Sequence, residues 1–307
     1  MSKKKLPNFL IVGAAKCGTT SLYHYLKQHP EIYMSPNKEP FFFVCDTIKN
    51  QSNKDPRGKF EKSHTIYSFE KYSNLFEQVK NEKAIGEAST AYLYYYQDSI
   101  DKIKRYLGDN VKILIILRNP VERAFSAYTH MLGGNWINTS FEKALQDEDY
   151  KIKNNWSHIQ FCKNLGLYYD QVKAFKDNFK DTKVILLEDL SNNADICLRE
   201  IYNFLNVDPS YQVNTKNRYM VSRDKVPKSQ FVNRFVKIYK ILQRKNIFPN
   251  SNSNNMISNL FNYIDSKNRV SLSMNPETKE YLINFFAEDV KKLGKLINRD
   301  LKGWIEQ

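Results

Sequence analysis

Gly13-Ala14-Ala15-Lys16-Cys17-Gly18-Thr19-Thr20-Ser21 follows the apolar run Phe9-Leu10-Ile11-Val12 and precedes Leu22-Tyr23-His24-Tyr25-Leu26. This order predicts a strand over 8–13, a tight glycine turn and a helix over 19–28. Such a junction binds anions, because turn N–H groups and the positive end of the helix dipole converge there. Glycines let the backbone approach closely, Lys16 adds a point charge, and Thr19, Thr20 and Ser21 supply hydroxyls. The plain alternative is an ordinary strand-to-helix turn whose glycines serve packing.

Details of the loop narrow the anion. Gly13 and Gly18 have the spacing of the nucleoside-triphosphatase loop, but Thr19 fills the position of its lysine. The lysine has moved inside the loop, to Lys16. A second apolar run, Val111-Lys112-Ile113-Leu114-Ile115-Ile116-Leu117, ends in Arg118. A triphosphatase places an aspartate near such a strand end to help hold Mg²⁺. Arg118 points instead to direct anion binding. Pro120 suits the first turn of a helix over 120–131, which places Ser126 two turns in. Arg118 and Ser126 can then bracket one anion, arginine by its fork and serine by its hydroxyl.

At these residues the chain resembles the sulfotransferases that use 3′-phosphoadenosine 5′-phosphosulfate (PAPS), in their bacterial and glycosaminoglycan-type branch. Gly13–Ser21 resembles the family's 5′-phosphosulfate loop. Lys38-Glu39-Pro40-Phe41-Phe42-Phe43 resembles its segment with the catalytic glutamate. Arg118-Asn119-Pro120-Val121-Glu122-Arg123-Ala124-Phe125-Ser126-Ala127-Tyr128 resembles its 3′-phosphate segment. The run from Glu188-Asp189-Leu190 through Phe204-Leu205 to Trp304 resembles its closing helices.

The resemblance implies roles. Lys16 would stabilise the leaving phosphate oxygen, while Cys17, Gly18, Thr19, Thr20 and Ser21 would hold the donor's 5′ end. Arg118 and Ser126 would hold the 3′-phosphate. Glu39 would be the general base, its three following phenylalanines an apolar setting that raises a carboxylate pKa. His130, four residues after Ser126 and so on the same helix face, would assist on the acceptor side, or simply pack. The basic stretch 217–228, with Arg223, Lys225 and Lys228, would close over the nucleotide, although it lacks the family's glycines. No metal is called for, since Lys16 and the loop donors supply the positive field. The implied reaction moves a sulfuryl group to a hydroxyl, or an amine, of a glycan or glycolipid acceptor. Two rival classes remain: a small-molecule kinase using ATP and Mg²⁺, and a non-catalytic polyanion-binding protein on the same fold.

Composition is consistent with these expectations. The 307 residues suit one α/β unit over 1–307. The net charge of +14, with a pI near 9.3, suits an anionic donor and acceptor or a lipid surface. No helix-turn-helix, zinc-finger or RNA-recognition signature points to nucleic acid. Lys237–Lys245 reads as a basic amphipathic helix face, either solvated or turned to a glycan or lipid surface. Cys17, Cys45, Cys162 and Cys197 are scattered, which argues against a zinc site and for a reducing compartment. Cys17, beside Lys16 at a helix start, is either a lowered-pKa thiol or a small residue filling a turn. No run of eighteen apolar residues and no signal-peptide pattern occurs, so a cytoplasmic, bacterial protein is expected.

A coarse reading gives further strands at 31–34, 84–87, 111–117 and 183–187. Helices are expected at 68–79, 98–107, 167–178, 194–205 and 276–296, and a flexible Asn/Ser-rich loop at 249–259. Strands recurring between helices predict an α/β fold, a P-loop-like parallel sheet with helices on both faces. The run Tyr92-Leu93-Tyr94-Tyr95-Tyr96 offers either sugar-stacking rings or core packing. Acceptor choice is expected to lie in loops around 44–66 and 132–165.

Overall fold

The computed structural model describes residues 5–215, 225–244 and 252–306. At its centre is a parallel sheet of β1 (Phe9–Gly13), β2 (Ile32–Met34), β3 (Ala84–Ala88), β4 (Lys112–Leu117) and β5 (Thr182–Leu186). Its spatial order is β2-β3-β1-β4-β5. Leu10 of β1 lies opposite Glu87 on one side and Ile113 on the other. All five residues of β1 are buried, as are Ile113–Leu117, which explains why both read as continuous apolar runs rather than alternating ones.

The helices flank this sheet. Between β1 and β3 lie α1 (Thr19–Leu26), α2 (Cys45–Lys49), α3 (Pro56–His64) and α4 (Phe69–Asn74). Between β3 and β4 lie α5 (Ala91–Tyr94) and α6 (Tyr96–Leu107). After β4 come α7 (Pro120–Gly134), α8 (Phe141–Gln146), α9 (Glu148–Lys153) and α10 (Tyr169–Asn178). After β5 come α11 (Leu187–Asn192), α12 (Ala194–Leu205), α13 (Gln230–Arg244), α14 (Asn252–Lys267) and α15 (Pro276–Ile297). An antiparallel ribbon, β6 (Lys225–Pro227) with β7 (Arg269–Ser271), brackets α13 and α14.

The connections after β1 run toward β2, whereas those after β4 run the other way, toward β5. The carboxyl ends of β1 and β4 therefore flank a topological switch point, where open α/β sheets form their ligand crevice. Both anion segments read from the sequence sit at these two strand ends.

Two expectations need correction. The helix expected over 68–79 ends at Asn74, and tight turns carry the chain on. There Leu75 N–H donates to Tyr72 O and Phe76 N–H to Ser73 O, while Phe76 and Val79 stay buried. Of the loop expected at 249–259, residues 252–259 begin α14, and 249–251 lie outside the described residues. Tertiary contacts override the weak helix propensity of Asn and Ser there. Phe261 of α14 stacks on Tyr239 at 4.0 Å, and Lys240 pairs with Asp265 at 2.7 Å.

Candidate active site

The loop after β1 has the geometry its sequence suggests. Gly18 caps α1 at φ 89°, and a Cβ there would meet Leu187 Cδ1 at 2.6 Å, so only glycine fits. Leu22 N–H donates to Gly18 O, closing the first turn, while Thr19 begins the helix. Lys16, Gly18, Thr19, Thr20 and Ser21 line one cavity of about 750 Å³, within the usual range of ligand pockets. Cys17 turns away from it. Its N–H donates to Ala14 O, and its thiol is sealed against Tyr168 Oη at 3.6 Å. Burial pushes this thiol up to about 11, so Cys17 fills the turn and is not an activated nucleophile.

Arg118 follows β4, and Asn119 caps α7 by accepting from the N–H groups of Val121 and Glu122. The four-residue stride then aligns Arg118, Glu122, Ser126 and His130, and all four line the same cavity. Glu122, which sequence reasoning passed over, accepts from Arg118 Nε at 3.1 Å and Nη2 at 2.8 Å. Ser126 is buried, and His130 lies edge-on to Trp136 at 5.3 Å.

Across the crevice stands Glu39, on the segment after β2. Its N–H donates to Ala88 O at 2.8 Å, and its φ is 65°. Oε1 accepts from Lys38 Nζ at 3.0 Å and Thr90 Oγ1 at 3.1 Å. Phe41, Phe42 and Phe43 behind it are buried, with Phe42 stacked on Tyr72 at 4.6 Å. The expected upward pKa shift is reversed. Burial does push the carboxyl up, but Lys38, Arg57 and Thr90 outweigh it and hold Glu39 at about 2.

The raised carboxyl is Glu87, at the end of β3. It is sealed from solvent and accepts from Tyr92 Oη at 2.7 Å, Ser89 Oγ at 3.0 Å and Tyr72 Oη at 3.4 Å. Burial pushes it up to about 7. Ser89 Oγ in turn accepts from Phe41 N–H at 3.3 Å. Glu87 therefore underpins the segment that carries Glu39.

The remaining wall comes from α3 and the segment before α10. Arg57 lies 4.6 Å from the Trp136 ring and 4.8 Å from the Phe60 ring, and its Nε donates to buried Glu61 at 3.1 Å. His158 also lines the cavity. It is buried, with Nδ1 at 3.8 Å from Glu61, and burial lowers its pKa. Neither Arg57 nor His158 stood out in the sequence, since no local motif surrounds them. Buried Asp55 joins the two segments by accepting from the N–H groups of Arg57 and Ser157.

Other candidates lie elsewhere. Lys225 and Lys228 are exposed on or beside β6 and do not line the cavity. The β6–β7 register ties this ribbon to the α13–α14 pair, with Lys228 N–H donating to Asn268 O. Arg223 lies outside the described residues, as do residues 216–224 generally. Tyr92 is core, whereas Tyr94 and Tyr95 line a second cavity with Trp156 and Phe161. Among the described residues no group of three or more His, Cys, Asp or Glu is placed to hold a metal.

A parallel sheet with a glycine loop at its switch point and a carboxylate across the crevice defines a P-loop-like α/β fold. A sulfotransferase-domain profile matches residues 6–255, and the chain belongs to the sulfotransferase family, whose members are PAPS-dependent enzymes. The crystal structure of a sulfotransferase from Alicyclobacillus acidocaldarius is 32% identical with a TM-score of 0.75, covering 98% of this chain and 99% of that one. The membrane-associated sulfotransferase kil1 of Dictyostelium discoideum is 25% identical over 97% of this chain, and human carbohydrate sulfotransferase 15 is 27% identical over 66%. The chain spans 66% of the length of the first of these and 44% of the second.

Proposed function

We propose that the protein transfers the sulfuryl group of PAPS to a hydroxyl of a carbohydrate-containing acceptor. One observation carries the reading: a single cavity gathers the glycine loop, the Arg118–Ser126 face and Glu39. Lys16 neutralises charge on the leaving phosphate oxygen, and Gly18, Thr19, Thr20 and Ser21 hold the 5′-phosphate. Arg118 and Ser126 take the 3′-phosphate. Glu39 receives the acceptor proton as the new O–S bond forms and the bond from sulfur to the phosphate oxygen breaks in line. His130 serves on the acceptor side. Arg57, framed by Phe60 and Trp136, adds a cationic and aromatic wall suited to a sugar ring bearing an anionic group. The human relative is named as a carbohydrate sulfotransferase, which agrees with that wall.

Calorimetric titration with adenosine 3′,5′-bisphosphate, against AMP and against ATP with Mg²⁺, tests the donor site. Metal-independent binding that requires the 3′-phosphate supports it, and a preference for ATP with Mg²⁺ moves the chain to kinase chemistry. Glu39→Gln tests the base: bisphosphate binding stays, and sulfate transfer from PAPS to a glycan acceptor is lost. Transfer at the wild-type rate removes Glu39 from that role.

A further inference from the structure

Among the described residues no helix is long and apolar enough to cross a membrane. One helix nevertheless turns a large apolar edge to solvent. On α13, Phe231 is 71% exposed, Phe235 53%, Ile238 48% and Ile241 52%. Their spacing places the four along one side of the helix, and the Phe231 and Phe235 rings touch at 4.6 Å. The core-facing side is separately satisfied, since Asn233, Val236 and Tyr239 are buried. The exposed edge is thus surplus to the packing of α13. Exposed rings in a row mark an interaction surface rather than the scattered apolar residues of an ordinary exterior.

Charge indicates what covers it. The α13 sequence carries Arg234, Lys237, Lys240 and Arg244 and no acidic residue, and although Asp265 of α14 pairs with Lys240 the helix keeps a net positive charge. Two copies meeting along this edge would bring these cations together. An anionic surface would complement them, and the chain's net charge of +14 acts in the same sense. Aromatic and aliphatic residues beside lysine and arginine on an amphipathic helix are the makeup of an interfacial membrane helix.

The edge also has a fixed relation to the cavity. Gln230 Nε2 donates to Leu132 O at 3.1 Å, and Asn135 Nδ2 donates to Gln230 O at 3.0 Å. Asn233 adds a hydrogen bond to Asn135. These bonds pin the start of α13, next to Phe231, to the end of α7, just beyond His130 and beside Trp136 of the cavity wall.

We propose that α13 docks the protein on an anionic lipid bilayer, with Phe231, Phe235, Ile238 and Ile241 in the interfacial layer and Arg234 and Lys237 among the headgroups. Docking in this way places the acceptor end of the cavity at the membrane surface.

Co-sedimentation of the full chain with phosphatidylcholine vesicles, with and without phosphatidylglycerol, tests it and needs no turnover, so it is independent of the reaction proposed above. Binding is expected to the anionic vesicles and to weaken as NaCl is raised from about 0.1 to 0.5 M. The double variant Phe231→Ser with Phe235→Ser keeps every charge, yet its partition coefficient is expected to fall at least about tenfold. A Phe231→Trp variant gives a second readout, a blue-shifted emission on adding anionic vesicles. Unchanged partitioning of the double variant, or no emission shift, overturns the proposal. So does a wild-type dimer in analytical ultracentrifugation that the double variant abolishes, which would assign the edge to a second copy.

Discussion

Glu39 and Glu87 show how neighbouring carboxyls are driven in opposite directions by what surrounds them. Lys38 and Thr90 contact Glu39 directly, and Arg57 adds positive potential, so the ionised form persists to about pH 2 despite burial. A base held this low is weak, and Lys38 is the lever that sets it. Lys38→Ala removes the largest favourable charge, so the Glu39 pKa rises and activity is lost at a higher pH on acidification. Profiles of kcat/KM between about pH 3 and 8 check this: wild type should stay flat on the acid side while the variant turns down, and a variant as flat as wild type would remove Lys38 from that role. Glu87 has the reverse sign. Its folded pKa of about 7 exceeds the ordinary 4.5, so the folded state favours the neutral acid. Its contribution to stability is complete below pH 4.5 and is lost as pH rises through about 7. Glu87→Gln should flatten that loss, which is at most about 3 kcal/mol by linkage. Urea unfolding of both proteins at several pH values in this window measures the difference, and parallel curves would show that Glu87 does not titrate there.

At the scale of elements, the unit that matters is β4 followed by α7. The strand ends at Arg118, Asn119 caps the helix, and a stride of four lays Arg118, Glu122, Ser126 and His130 along the crevice. Glu122 occupies the guanidinium face that the proposed 3′-phosphate contact requires. Two substitutions on one face should therefore act oppositely on adenosine 3′,5′-bisphosphate. Arg118→Ala removes a charge-assisted clamp and should weaken binding by about 2 kcal/mol or more. Glu122→Gln removes a competing carboxylate and should tighten it. Calorimetry at one fixed salt concentration decides, and a loss in both variants would mean that the Arg118–Glu122 pair is itself the binding unit. A neighbouring element is fixed by a related device. Asp289 of α15 accepts from the N–H groups of Tyr168 and Tyr169 at the start of α10, joining the two helices. A carboxylate there meets the positive end of the α10 dipole.

Across the whole molecule, what could be read from the sequence is what lies close together along the chain. The glycine loop, the Arg118-to-Ser126 stride and the buried strands are local patterns, so periodicity and turn chemistry expose them. The ionisation of Glu39 runs against its apolar sequence setting because the adjacent Lys38 folds onto its carboxylate, a contact that adjacency alone does not specify, while Arg57 and Thr90 reach it from distant parts of the chain. Arg57, Trp136 and His158 reach the cavity from α3, the end of α7 and the segment before α10, and nothing local to any of them encodes that meeting. The chain's far end joins in the same way. Trp304 Nε1 donates to Glu188 Oε1 at 2.7 Å, and Trp304 O accepts from Asn119 Nδ2 at 3.2 Å. Arg299 also grips Asp189 through two nitrogens, at 2.8 and 2.9 Å. Residues near the carboxyl terminus thus brace both Asn119, beside Arg118, and α11, whose Leu187 and Glu188 line the cavity. Trp304→Ala leaves a void and strands Glu188, with an expected cost of about 3–5 kcal/mol in urea unfolding. Adenosine 3′,5′-bisphosphate should also bind more weakly, because the α11 wall loses the indole N–H that holds Glu188, while the backbone carbonyl at 304 still accepts from Asn119. Trp304→Phe keeps most of the packing and loses the indole N–H, so it should fall between wild type and alanine in both measurements. A variant that unfolds more easily yet binds the bisphosphate as wild type does would make Trp304 a packing residue only, and would mean that the crevice holds its shape without the far end of the chain.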